Sequence, residues 1–367
     1  MLQLEVRETP SRGMVFGSPL LALSLTVLMG IALFLIVGKD PLQGLLVFFY
    51  EPLKNSYALT ELTIKASPLI LIGLGLAISY RANVWNIGAE GQYILGAIFA
   101  AGVSLKADEH TGRWILLLIV FSAILGGMLW ASITALLRDR FNANEILVSL
   151  MLVYIAQMLL SYLVYVPWKD PEGFNFPQTK TFEGVTQLPR LIEGFRMNIS
   201  VVIVVFTVIA AYLFIFRSFA GYQLQVTGLA PRAAQYAGFS SRKMLWIALM
   251  VSGGLAGLAG GLEIAGPLNQ LTPHVPAGYG FAAIIVAFIG RLHPIGVVLA
   301  GILISMFYIG GELAQSRLGM PRALTGVFQG LMLFNLLACD TLIHYRIKRV
   351  KETKKPKNSL KETQVQA

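Results

Sequence analysis

Three acidic residues, Glu90, Glu145 and Glu263, stand in or beside long apolar stretches of the chain. A carboxylate inside a bilayer is costly enough to mark an ion pathway, a proton relay or a paired structural group. Around the first of them, Ala82 to Gly96 (ANVWNIGAEGQYILG) adds Asn83, Asn86 and Gln92, interspersed with Gly88, Gly91 and Gly96. Unpaired polar groups are expensive at membrane depth, and glycines permit close backbone approach or local unwinding, so this pattern predicts a discontinuous helix lining a cavity. The alternative is that Glu90 and the asparagines are packing groups hydrogen-bonded between helices. Asn269 and Gln270 extend the neutral polar set, which suits a hydrogen-bonding, uncharged ligand, and Trp85 or Tyr93 is available for stacking.

Enzyme chemistry is not written into the chain. It has no G-x-x-x-x-G-K-[ST] phosphate loop, no H-E-x-x-H and no convincing G-x-S-x-G nucleophile, so no catalytic residue is expected and ATP would not be bound here by that means. His110, His274, His293 and His344 lack metal-ligand spacing, and a single cysteine, Cys339, allows no intrachain disulfide.

The elements that must position these residues follow from composition. Of 367 residues 56% are hydrophobic and 13% charged, against about 25% charged in a soluble domain, which defines an integral membrane protein. The expected fold is all-α and polytopic, with about ten transmembrane helices, some discontinuous. Residues 1–16 form a polar lead, 17–340 the membrane domain, and 341–367 a basic tail too poor in apolar residues to order itself. Spans are expected near 19–37, 57–80, 93–105, 114–137, 145–166, 199–216, 244–265 and 323–338, with 40–55 as an interfacial helix. The apolar run 279–311 is broken at Gly290 to Pro294 and predicts two short helices. Its break has a layout comparable to that at 82–96, which hints at an internal structural repeat.

The net charge of +10 reads as topology and not as a nucleic-acid surface. With the amino terminus inside, the inner loops and both termini hold roughly 18 of the 29 Lys and Arg. That orientation puts both termini and 217–243 in the cytoplasm and the loop 167–196 outside, and it lets the tail lie on anionic lipid.

Within 217–243 a short helix is punctuated in the sequence. Pro231 suits a first helical position, Arg232 to Ala237 are fair helix formers, and Gly238 is a natural left-handed stop. Two turns are too few to be stable alone. The segment therefore reads either as an amphipathic connector on the headgroups or as a docking helix that presents Arg232, Gln235 and Tyr236 to a separate soluble subunit.

NIGAEGQYILGA, NANEILVSLMLVYIA, GLAPRAAQYAGFSSRK and GYGFAAIIVAFIGRLHPIGVVLAG, in this order, resemble the permease subunits of ATP-binding cassette importers in the branched-chain amino acid and simple-sugar permease superfamily. The likeness spans about residues 17 to 340 and is closest to the nucleoside and purine-type branch. It implies a coupling helix entering a cleft on a nucleotide-binding subunit, carried by Gly228, Pro231, Arg232, Ala233, Ala234, Tyr236 and Gly238. It also implies ATP and Mg on that partner and none in this chain, a second permease chain (related or identical) and an extracytoplasmic solute-binding lipoprotein or periplasmic protein. The setting it implies is the bacterial inner membrane, and the cargo a small polar solute: a nucleoside or nucleobase, alternatively a simple sugar or branched-chain amino acid. Ala230 stands where relatives often carry Asn, and Val153 stands where they carry Asn in an MLNYIA pattern. The second departure touches the lumen-facing chemistry. From the residues alone, a proton-coupled secondary transporter using Glu90, Glu145 and Glu263 is the rival of another class.

Overall fold

The computed structural model describes residues 2–6, 12–108, 110–321 and 323–349, whose regular structure is helical apart from one pair of short strands. The long apolar helices are α1 (Arg12–Ile36), α3 (Ser56–Arg81), α5 (Ile115–Phe141), α6 (Glu145–Tyr165), α7 (Ser200–Arg217), α10 (Ser241–Glu263), α12 (Pro294–Leu318) and α13 (Ala323–His344). Among the described residues these eight are long and apolar enough to cross a membrane. Two apolar helices are shorter, α4 (Ala89–Ser104) and α11 (Tyr279–Ile289), and α2 (Pro41–Leu45), α8 (Phe219–Leu229) and α9 (Pro231–Tyr236) are connectors.

Local chemistry sets these boundaries. Asn55 caps α3 by accepting from the Ala58 N–H at 2.8 Å, and Asn144 caps α6 by accepting from Ile146 at 2.9 Å. The interfacial stretch begins with Asp40 capping Leu42 and Pro41 in the first turn, and continues as a π turn over Leu46–Tyr50 and a 3-10 turn over Glu51–Leu53. The run 279–311 departs from the expectation of two short helices: α11 has 11 residues, but α12 runs unbroken for 25. Arg291 and Leu292 both adopt positive φ and end α11, and Pro294 behind the His293 cap starts a new helix. Gly310 and Gly311 do not interrupt α12, because their faces are filled by Phe48 and Thr325.

The chain divides into two compact units, residues 1–30 with 330–367, and 31–329. In the first, Leu2–Val6 and Tyr345–Arg349 pair antiparallel, with Leu2 opposite Arg349 and Val6 opposite Tyr345. Ser18 donates to the Asp340 carboxylate at 2.6 Å, and Asn335 donates to the Thr26 hydroxyl at 3.0 Å. The start of the basic tail is thus in a strand, α13 continues to His344, and α1 begins inside the polar lead at Arg12. The remainder of that tail, 350–367, lies outside the described residues.

In the second unit α10 packs against α3, α4 and α5, and α3 packs in turn against α7, α11 and α12. Small residues make this contact close. A Cβ on Gly260 would collide with the Tyr93 carbonyl, and one on Gly127 with the Gly253 carbonyl. Apolar burial gives little driving force inside lipid, so the approach of backbones is what binds these helices. Gly260→Ala is therefore expected to destabilise by about 1–3 kcal/mol. Gly326→Ala, with open space around its Cβ, should keep or gain stability from helix propensity. Thermal unfolding in detergent distinguishes them, and equal midpoints for Gly260→Ala and the native chain would refute the close crossing.

Candidate functional site

The short helix written between Pro231 and Gly238 is present. Pro231 is its first residue, Ala237 closes it with its N–H on the Ala233 carbonyl, and Gly238 follows at φ 80°. It packs on α8 and α10. Pro231, Arg232, Ala233 and Gln235 are exposed, and Tyr236 is 97% exposed. Leu229, Phe219 and Tyr222 are exposed beside it in sequence, and Phe219, Tyr222 and Phe239 meet ring to ring. An exposed aromatic surface carrying an arginine has the composition of a protein-binding hot spot. Ala234 differs from the expectation: its side chain is 0% exposed and packs on this chain, because one face of even a two-turn helix must be buried to hold it.

Gly228 does not face outward either. A Cβ there would strike the Arg81 carbonyl, so α8 lies directly on the end of α3. The Arg81 side chain then gathers two further elements. Its Nε donates to the Leu292 carbonyl at 3.0 Å, and its guanidinium lies 5.1 Å from the centre of the Phe216 ring. Leu292 belongs to the joint between α11 and α12, and Phe216 to the last turn of α7. At this joint His293 accepts from the Ile295 N–H through Nδ1, and burial followed by the Arg81 charge holds its imidazole below the usual histidine value.

Glu90 has a defined task. Its carboxylate accepts from the N–H of Gly278 at 2.9 Å and from the N–H of Gly280, capping the first turn of α11. Gly280 brings its backbone so near that a Cβ would overlap Glu90. At 1.5 Å per residue α11 is about 16 Å long, half of a 30 Å core. Its start lies inside the span, where Tyr279 meets Lys65 ten residues into α3. The helix is discontinuous, and its free N–H groups are satisfied by a carboxylate from α4.

Other candidates separate into two groups. Asn86 donates to the Gln92 amide oxygen at 2.8 Å and the Ser252 hydroxyl at 2.9 Å, and accepts from Gln92 at 3.0 Å and from the Gly88 N–H at 3.2 Å. Asn86 and Gln92 are buried packing groups that join α4 to α10, which is the alternative reading for these residues. Asn83 takes a positive φ in the joint before α4 and accepts from the Trp85 indole at 3.2 Å. Trp85 stacks on Phe288 and meets Tyr80 at a tilt within the chain. Glu145 pairs with Arg138 at 2.6 Å across the α5–α6 turn, which removes it from any intramembrane role. Asn269, at φ 55°, ends the π turn Ile264–Leu268, and its carbonyl accepts from the Phe182 N–H at 2.8 Å. Thr179 likewise bonds Leu271, so the long loop is laid onto 265–271, beside Gln270.

Tyr93 and Glu263 remain, and the structure adds neighbours the sequence reading did not single out: Lys65, Tyr279, Tyr308 and Glu312. Lys65 bridges Glu312 at 3.0 Å and donates to the Tyr279 hydroxyl at 3.0 Å. A scan for charges well inside apolar helices would have found Lys65 and Glu312.

A multi-spanning helical chain with a carboxylate-capped half-helix and an exposed short helix outside its spans has the architecture of a membrane transport subunit. The profile of the family described as branched-chain amino acid transport system / permease component matches residues 58–337, and the chain belongs to that family. It is 32% identical to the glucose ABC transporter permease protein TsgB13 of Haloferax volcanii over 94% of this chain and 93% of that one. It is 29% identical to the guanosine ABC transporter permease protein NupP of Bacillus subtilis, covering 83% and 87%. With the nucleoside ABC transporter permease protein NupB of Lactococcus lactis the figures are 24%, 92% and 94%. Among solved structures, a chain of PsaBC from Streptococcus pneumoniae in complex with Fab aligns with 81% of this chain and 94% of its own at TM-score 0.43 and 11% identity, and no residue correspondence is drawn from it.

Proposed function

We propose that this permease is the membrane subunit of an ATP-driven, binding-protein-dependent importer for a neutral, hydroxyl-bearing solute, a nucleoside in the first place. The observation that carries the importer reading is α9: a two-turn helix with one residue buried on its own chain and Arg232, Ala233, Gln235 and Tyr236 turned outward, in a chain of the permease family. Two ATPase subunits grip such helices from the cytoplasm, and ATP and Mg reside on them. A second permease chain completes the pathway, and an extracytoplasmic binding protein delivers the solute. Closure of the ATPases moves α9, and access alternates across the membrane.

Relatives named for guanosine and nucleoside transport support a nucleoside. A second reading, a hexose, is favoured by the glucose-named relative at 32% identity. The proton-coupled reading loses two of its three acids: Glu145 is paired with Arg138, and Glu90 is committed to two backbone N–H groups, which leaves Glu263 alone to carry it. ATP-dependent uptake of labelled guanosine and labelled glucose into proteoliposomes containing the whole complex decides between the solutes. Uptake driven by a pH gradient in the permease alone would overturn the ATP-driven reading.

The orientation is tested separately. A cysteine at the exposed Glu172 is expected to react with an impermeant thiol reagent in intact spheroplasts, and one at the exposed Ser240 only after lysis. Labelling at Ser240 in sealed cells would invert the topology and remove the docking role of α9.

A further inference from the structure

We infer that Lys65, Glu312, Tyr93, Tyr279, Tyr308 and Glu263 form a solute site inside the membrane that takes a neutral vicinal diol, as on ribose or a hexose. This deepens the importer reading and rests on it.

The first ground is depth. Lys65 is ten residues into α3 and Glu312 is seven from the end of α12, so their ion pair sits roughly 9–13 Å inside the helix ends at 1.5 Å per residue. Yet the Lys65 side chain is 25% and the Glu312 side chain 60% exposed. Charges so placed do not face hydrocarbon; they face a water-filled cavity or protein. The second ground is valence. The Tyr279 ring lies edge-on to Tyr93 at 6.0 Å and Tyr308 at 5.2 Å, and its hydroxyl accepts from Lys65, while Tyr308 donates to the Ala277 carbonyl at 3.2 Å. The Tyr93 hydroxyl, in a residue 0% exposed, has no hydrogen-bond partner among the described residues. Glu263, one turn beyond the Gly260 that touches Tyr93, makes no hydrogen bond or ion pair among them, and lies within electrostatic reach of Tyr93, Tyr279 and Lys65. Buried polar groups in native structures are paired, so the Tyr93 phenol is waiting for a partner, and the part-exposed Glu263 carboxylate beside it is open to the same one.

The unspent groups define that partner. A carboxylate accepts two hydroxyl donors, and a phenol donates to or accepts from a third oxygen. Lys65 and Arg196 act on Glu263, but Lys65 is bridged to Glu312 and Arg196 to Glu61, so the fixed charge is not positive and phosphorylated or carboxylated solutes are disfavoured. Adjacent hydroxyls on a neutral ring satisfy both groups at once.

The test uses the whole complex in proteoliposomes, comparing ATP-driven uptake of guanosine, 2′,3′-dideoxyguanosine and glucose by the native chain, Tyr93→Phe and Glu263→Gln. Each variant is expected to retain its ATPase subunit, to raise KM for the diol-bearing solute about fivefold to tenfold as one hydrogen bond is lost, and to leave KM for the dideoxy analogue unmoved. Guanosine or glucose as the solute taken up identifies which diol the site serves. A merely structural role would shift all solutes alike, and unchanged discrimination in both variants would overturn the site while leaving the importer intact. If the native complex imports neither guanosine nor glucose, the solute reading fails and the site falls with it. Should Tyr93→Phe not accumulate, Glu263→Gln alone decides.

Discussion

Ala233→Trp is expected to insert and accumulate normally and to purify without its ATPase subunit, whereas Ala234→Trp is expected to lose folded yield as well. The two residues are neighbours on α9, but Ala233 is exposed and Ala234 is wholly buried on this chain. In the importer reading added volume at Ala233 meets only the ATPase cleft, and overpacking a fitted contact costs about 1–3 kcal/mol, a fivefold to 150-fold loss of affinity. The same indole at Ala234 displaces the packing that holds a helix too short to stand alone. Pro231→Ala should be milder than either, since alanine also accepts helical geometry. Pull-down of the ATPase subunit together with solute-stimulated ATP hydrolysis reads the difference. A full complement of subunit and normal stimulated hydrolysis in Ala233→Trp would make α9 a surface connector.

The second large effect is expected at Glu90. Glu90→Leu strands the N–H groups of Gly278 and Gly280 at the start of a half-helix within the span, about 1–3 kcal/mol for each, and removes a negative charge from a helix amino terminus. Glu90→Gln keeps one acceptor oxygen and should retain much of the folded yield and uptake. Equal yield and equal uptake in the two variants would refute the capping role.

How much of this was legible in the sequence depends on how far away each residue's partner lies along the chain. The bounds of α9 were readable because Pro231 and Gly238 act within their own turn. Which alanine it buries was not, since that is set by α8 and α10. The break at 290–294 was visible, but the length of α12 beyond it was not. By apolarity the run ends at Gly311, but Phe48 and Thr325 fill the space beside Gly310 and Gly311 and the helix continues to Leu318. Asn86 and Gln92 looked like solute contacts because Ser252, which completes their network, is 166 residues from Asn86. For Glu145 a nearer partner was on the page: Arg138, seven residues back across a turn, already answered its charge.

Arg81 has a mechanical consequence. One residue touches α8 with its carbonyl, the α11–α12 joint with its Nε and α7 with the face of its guanidinium. A force arriving through α8 is thereby applied to two re-entrant corners of the fold together, since α3 leads directly into the bend at Asn83 and its end is bolted to Leu292. In the importer reading these contacts are expected to make the corners move together, so that the transporter switches as a unit instead of leaking through half-opened intermediates. Arg81→Lys keeps the charge but loses the planar fork, so it should let the corners move separately. The signature would be ATP hydrolysis that persists while less solute is delivered per ATP; an unchanged ratio would show that the corners are joined elsewhere.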